Sequence, residues 1–401
     1  MSENAQEPEL SGLRLNLRIV SVVIFNFATF LTIGLPLAVL PGYVHDVMGF
    51  SAFWAGLIIS LQYLATLISR PWAGRFADLF GPKRGVVIGL VCCLISGFSY
   101  LLASWWLAFP LLSLGLLALG RLALGIGQSL GGTGSTIWGV GIVGAPHIGR
   151  VISWNGVVTY GAMALGAPLG ALIYAHGGLA WMSLAIMAIA LAGLLLALPR
   201  RDVAGKRGAT LPFRAVLGRV WPFGLALALS TSGFGVIATF ITLLYEARGW
   251  SGAAFALTLF SAAFVGGRLL FPNAINRSGG LKVALVCFAV EEVGLMLVGF
   301  ATLPWLVKAG TLLAGAGFSL VFPALGVEAV KAVPASNQGS ALATYTVFMD
   351  LAMGITGPLA GIIIAAAGVP IIYPGAALLV CGAMGLCFWL RRRSPRAVGS
   401  A

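Results

Sequence analysis

The stretch Gly74-Arg75-Phe76-Ala77-Asp78-Leu79-Phe80-Gly81-Pro82-Lys83-Arg84 lies between two long apolar segments. It crowds charge into one short connection in a chain that elsewhere avoids it. Hydrophobic residues make up 59% of the 401 and charged residues only 9%, against roughly 25% charged in soluble domains. Mean hydropathy is +1.01. So few charges cannot cover a soluble surface, and the composition describes an integral membrane protein. The apolar stretches run for about 20 residues, the length a spanning helix needs, and the period-two alternation of a membrane barrel is absent. A charged connection this tight between two membrane-length helices is expected to be used mechanically.

Working outward, the chain reads as an all-α membrane protein with twelve spans. They fall near 17–40, 52–74, 84–104, 106–131, 150–174 and 178–198, then 220–244, 252–273, 281–301, 304–329, 339–366 and 370–390. The first residues are polar and acidic (Glu3, Glu7, Glu9) and lack the basic start and cleavage site of a signal peptide, so the first span is expected to remain. With the N-terminus cytoplasmic, all but three of the 24 basic residues fall in or beside cytoplasmic segments; the exceptions are Arg121, Arg248 and Lys308. That asymmetry puts both termini inside. The formal charge of +13 is then explained by topology and by the anionic inner leaflet rather than by nucleic acid.

The five cysteines (Cys92, Cys93, Cys287, Cys381, Cys387) all fall within spans, as small packing residues. The three histidines show no metal-type spacing, and neither a metal nor a cofactor is expected.

The second half repeats the first. The longest charged connection, Pro199 through Arg219, falls at the midpoint. Arg70, Asp78 and Gly81 correspond to Arg268, Asn276 and Gly279 at one offset of 198 (70 to 268). Gly125 and Gly127 correspond to Gly315 and Gly317, and Pro168 to Pro358, at an offset of 190 (168 to 358). Asp46 with Gly49-Phe50-Ser51 recurs as Glu246 with Gly249-Trp250-Ser251. The duplication gives an N-terminal tail at 1–16, a six-helix bundle at 17–198, a basic linker at 199–219, a second six-helix bundle at 220–390 and a C-terminal tail at 391–401. Ligands of such duplicated bundles are expected where the halves meet.

On these motifs the chain resembles the major facilitator superfamily over essentially its whole length. Gly74, Asp78, Gly81, Lys83 and Arg84 match the family's signature between spans two and three. Arg121-Leu-Ala-Leu-Gly125-Ile-Gly127 matches its span-four arginine and spaced glycines. Gly166-Ala167-Pro168-Leu169-Gly170 resembles the span-five element of proton-driven exporters, with alanine where the family prefers glycine. Asn337-Gln338-Gly339 and Asp350 resemble a bacterial branch grouped with arabinose-efflux-type permeases. The resemblance implies a secondary transporter with two pseudo-symmetric six-helix bundles and a latch in which Asp78 contacts the start of span eleven.

Residue chemistry supplies the remaining expectations. The resemblance makes Arg70, Gly74, Asp78, Gly81, Lys83 and Arg84 the conformational latch, with Arg75 part of the charge relay; by its chemistry Asp78 is able to face a helix N-terminus. A mid-span arginine costs roughly 2.5–3.5 kcal/mol on insertion scales, so Arg121 should face a cavity or partner, in proton coupling or in binding an anionic group. Asp350 and then Glu292 are the favoured proton carriers. Glu291 stands about 100° from Glu292 on the same helix, so only one of them should face inward. Glu328 should pair with Lys331. Cavity-lining spans one, four, seven and ten, placed by the resemblance, offer Asn26, Phe30, Gln128, Thr231, Ser232, Thr239 and Thr311 to a substrate. Gly166, Pro168, Gly170, Gly357 and Pro358 are expected to kink helices or let them pack closely, as are Gly131, Gly132, Gly161 and Gly361.

These features favour a monomeric transporter of a bacterial inner membrane, exporting a small polar or amphiphilic molecule (sugar, metabolite or drug) in exchange for protons. A facilitated uniporter or a proton-symport importer on the same fold is the alternative. A polytopic enzyme would need a catalytic set that the spans lack, a channel would need a filter segment, and an ATP-driven pump would need a phosphate-binding loop.

Overall fold

The computed structural model describes residues 12–144, 147–203, 213–271, 273–333 and 338–393. Among these the regular elements are helical: α1 (Gly12–Leu37), α2 (Leu40–Gly42), α3 (Ala52–Phe80), α4 (Pro82–Trp105), α5 (Pro110–Val143), α6 (Ile148–Ala197), α7 (Phe213–Ala247), α8 (Ala253–Leu270), α9 (Ala274–Ser278), α10 (Gly280–Gly299), α11 (Pro304–Ser319), α12 (Val321–Lys331), α13 (Gln338–Ala367) and α14 (Ile372–Arg393). Large apolar side chains such as Trp72, Leu111 and Leu378 stand on the outside, where lipid rather than water is the compatible solvent.

Ten segments of the described chain are long and apolar enough to cross a membrane. One of them, Trp154–Ala197, is 44 residues long. It is interrupted where Gly177 (φ −150°, ψ 19°) and Gly178 (φ 64°, ψ −161°) leave helical geometry, between the expected spans 150–174 and 178–198. The expected span 281–301 corresponds to α10, which carries Lys282, Glu291 and Glu292 in a helix of 20 residues. The expected span 304–329 is divided at Leu320 into α11 and α12.

The charged stretch at 74–84 differs from the expected loop. Helix α3 continues through Phe80, Gly81 turns the chain at φ 92°, and Pro82 begins α4 at once. Nothing from Arg75 to Phe80 breaks a helix, whereas a glycine at positive φ followed by proline both ends one helix and starts the next.

Glycines set how closely the helices approach, and they do so twice in one register. A Cβ at Gly125 of α5 would overlap the Gln62 carbonyl of α3, and a Cβ at Gly315 of α11 would overlap the Phe260 carbonyl of α8. The carbonyls stand 198 positions apart (62 to 260) and the glycines 190 apart (125 to 315), the offsets found in the sequence. The repeated sequence is therefore a repeated packing register. Among the described residues, the halves of the chain join chiefly along α3 with α13 and along α6 with α8. At the end away from the Gly81 turn, α2 also packs on α7, where Gly42 lies between the carboxylates of Asp46 and Glu246.

Candidate functional site

Helices α3 and α13 run antiparallel in backbone contact because glycine meets glycine. A side chain at Gly56 would strike the Gly357 carbonyl, one at Gly357 would strike Gly56, and Gly361 lies against Phe53. Ser60 Oγ donates to the Met353 carbonyl at 3.2 Å. Further along the same seam Arg70 Nε meets Asp350 Oδ2 at 2.6 Å. The Asp350 side chain is 1% exposed and that of Arg70 26%. Asp350 Oδ1 has no hydrogen-bond partner among the described residues. This buried ion pair joins residues 280 positions apart.

Tyr160 and Arg268 lie next to it. The Tyr160 hydroxyl points to Met349 Sδ at 4.0 Å, beside Asp350. Arg268 lies over the rings of Tyr160 at 5.0 Å and Phe264 at 4.6 Å, and its Nε donates to the Ser319 carbonyl at 3.1 Å. The Tyr345 hydroxyl donates to the Phe322 carbonyl at 3.0 Å. Arg121 is fully buried; its Nη2 donates to the Ile59 carbonyl at 3.2 Å, while Nε and Nη1 have no partner among the described residues.

The other expected site residues separate by what holds them. Gln128 is tied to α3: its Oε1 accepts from Gln62 Nε2 at 2.8 Å and from Thr66 Oγ1 at 3.2 Å. Thr231, Ser232 and Thr311 bond carbonyls of their own helices, at Leu227, Leu229 and Lys308. Asn26 Nδ2 donates to Thr159 Oγ1 at 2.8 Å, but its Oδ1 is unpartnered among the described residues. Phe30 packs against the apolar core. Gly166 and Gly170 bring α6 against Gly34 and Leu35 of α1, and Pro168 and Pro358 lie within α6 and α13. Glu291 faces inward at 1% exposure and accepts from Ser230 Oγ, with Oε1 unpartnered among the described residues. Glu292 instead borders a groove with Val293, Met296 and Phe300, and accepts from Cys381 Sγ at 3.0 Å. Glu328 pairs with Lys331 at 3.2 Å.

At the Gly81 turn, the Asp78 side chain lies outside the described residues, as does that of Asn276. Gly74 has open space beside it, and Arg84 is exposed. Lys83 is held within its own half: its Nζ donates to the Leu198 carbonyl at 2.7 Å, and its backbone N–H donates to Asp202 Oδ1 at 3.1 Å. Asp202 thus neutralises the start of α4, where a carboxylate is favoured by the unsatisfied amides and the helix dipole. Sequence reasoning passed over Asp202, although it is the one acid in the linker expected at 199–219. It also passed over Tyr160, whose signal was available: Tyr160 stands 190 positions before Asp350, the offset already found for Pro168 and Pro358.

A family model described as Major Facilitator Superfamily matches residues 22–277 and 224–401. A relative from Escherichia coli strain K12, named uncharacterized MFS-type transporter YhhS, is 68% identical over 401 residues, covering 100% of this chain and 99% of its own length. Among solved structures, the partially occluded inward-open xylose transporter XylE from E. coli aligns with a TM-score of 0.73 at 14% identity, over 94% of this chain and 99% of its own. A point variant of the nucleoside transporter NupG aligns with a TM-score of 0.71 at 17% identity, over 92% and 99%.

Proposed function

The chain belongs to the major facilitator superfamily, whose members are transporters and not enzymes, and we propose that it is a proton-coupled exporter. It works as a monomer in a bacterial inner membrane, by alternating access, on a small polar or amphiphilic substrate. Its twelve spans form two six-helix bundles at 17–198 and 220–390, with both termini in the cytoplasm. The break at Gly177–Gly178 and the placement of Lys and Arg support that topology.

One observation carries the coupling: the only buried carboxylate on the α3–α13 seam among the described residues is bonded to an arginine of the other half. Ionised Asp350 attracts Arg70 and holds α3 against α13. A proton on Asp350 removes the charge that Arg70 is drawn to and weakens the seam, so proton binding biases one arrangement of the bundles over the other. Glu291, rather than Glu292, is the better second carrier, because it is buried and half unpartnered. The turn from Gly74 to Arg84 anchors the moving end of α3, through Gly81, Lys83 and Asp202. For substrate contact, Asn26 with its unpartnered Oδ1 and Phe30 one turn on are favoured over Thr231, Ser232 and Thr311, whose hydroxyls bond their own helices, and over Gln128, whose Oε1 is engaged by α3.

The test follows proton movement in everted vesicles with a pH-sensitive dye. An acid-inside gradient is challenged with sugars, organic acids and cationic drugs. Collapse of the gradient by one compound with the intact protein, and not with Asp350→Asn, is the expected result. If Asp350→Asn collapses the gradient as the intact protein does, Asp350 is not the coupling group.

A further inference from the structure

The duplication that sets Arg268 opposite Arg70 also sets Tyr160 opposite Asp350, because 268 follows 70 by 198 and 350 follows 160 by 190. The structure realises both pairs at matching seams. Arg70 of α3 meets Asp350 of α13, and Arg268 of α8 meets Tyr160 of α6. The first pair is neutral as a unit. The second has kept its cation and has an aromatic ring where its counterpart has a carboxylate.

The ring compensates only in part, since a cation over an aromatic face is held by a quadrupole rather than a charge. Arg268 Nε is satisfied by Ser319, but Nη2 is sheltered and without a hydrogen-bond partner among the described residues. A Cβ at residue 156 would stand 2.5 Å from its Nη1, so Gly156 lets the guanidinium lie close against α6. No carboxylate of the described residues is in ionic contact with Arg268 or with Arg121. A cation inside a membrane protein is kept where a partner or a water-filled path answers it. Here Arg70 is answered by a carboxylate, whereas Arg268 at the matching seam has no carboxylate in ionic contact among the described residues.

We infer that Arg268 is the anchor of an oxyanion site, in which the Nη edge of its guanidinium, framed by Tyr160 and Gly156, binds a carboxylate or phosphate-type group of the transported molecule. The ligand's oxygens supply to Arg268 the negative charge that Asp350 supplies to Arg70. A planar guanidinium suits such a group because it offers parallel N–H donors. The Tyr160 ring lies over the guanidinium rather than at its edge, and Nη2 is without a hydrogen-bond partner among the described residues. The inference rests on the transport reading only for its purpose; binding itself needs no gradient.

The experiment uses the full chain, purified into vesicles of phosphatidylcholine alone so that no anionic headgroup competes. Thermal unfolding is followed with added sodium phosphate, against sodium chloride at matched ionic strength. Phosphate is expected to raise the midpoint in a saturable way. Arg268→Gln should weaken the apparent affinity about tenfold or more, the worth of a charge-assisted pair. Arg248→Gln, which removes an exposed cation elsewhere, should bind as the intact protein does. Tyr160→Asp builds the missing carboxylate into the chain. It should abolish the phosphate effect while keeping or raising the midpoint without phosphate, which shows the variant to be folded. Phosphate response retained in both Arg268→Gln and Tyr160→Asp, or no response in the intact protein, overturns the site. A chain that binds phosphate but moves no protons sinks the coupling reading alone, and one that moves protons but ignores anions sinks this one alone.

Discussion

Arg70→Gln removes the cation and leaves Asp350 inside the seam, 1% exposed, with neither oxygen in an ion pair. Breaking a buried pair from one side costs about 3–5 kcal/mol. The lower end, about 3 kcal/mol, applies because 26% of the Arg70 side chain is still reached by solvent. Asp350→Asn is milder, because the amide oxygen can still accept from Arg70 at the position of the 2.6 Å contact. A hydrogen bond to a charged donor keeps part of the interaction, and the loss is about 2 kcal/mol. The double variant removes both charges and strands neither, so its loss should fall short of the sum of the single losses by about 1–3 kcal/mol. The assay is reversible unfolding of the intact protein and three variants in one lipid–detergent mixture, read by tryptophan fluorescence. Because the pair is buried, the coupling should survive raised salt. Single losses that add to within about 0.5 kcal/mol in the double variant would show that Arg70 and Asp350 do not hold the seam together, and the coupling mechanism would lose its switch.

Two other predictions test the frame around that pair. Gly357→Val places a branched side chain against the Gly56 backbone and Ser60 Oγ; it should cost about 1–3 kcal/mol through overpacking and stop transport, whereas unchanged flux in vesicles would show that α3 and α13 do not pack this closely in the working protein. Asp202→Ala removes the acceptor of the Lys83 N–H; the loss should be about 0.5–2 kcal/mol, read as a lower unfolding midpoint, and Asp202→Asn should recover most of it because the amide oxygen can still cap the helix.

The sequence alone determined the solvent and the architecture's symmetry. A composition of 59% hydrophobic and 9% charged residues belongs in lipid, and apolar runs of about 20 residues without period-two alternation make the spanning elements helices. The offsets of 198 and 190 expressed the repeated packing of Gly125 on Gln62 and Gly315 on Phe260, because glycine is required wherever one backbone touches another. The end of α3 was legible too, once Gly81 and Pro82 are taken as a stop and a start.

What tertiary structure decided was which polar groups meet. Helices that are apolar on every face give little sign of which side is inward, since lipid and protein interior select the same residues. Glu291 and Glu292 differ by one position, and only the packing of α10 against α7 and α11 made the first buried and left the second beside a groove. Lys83 could have crossed to the other half, yet the end of α6 lies within reach of its ammonium. Arg70 finds Asp350, and Arg268 finds Tyr160, only when helix rotation and glycine contacts bring distant turns to one depth. Pairing across that distance is set by three-dimensional packing, so a rule of local spacing could name the charges but could not join them.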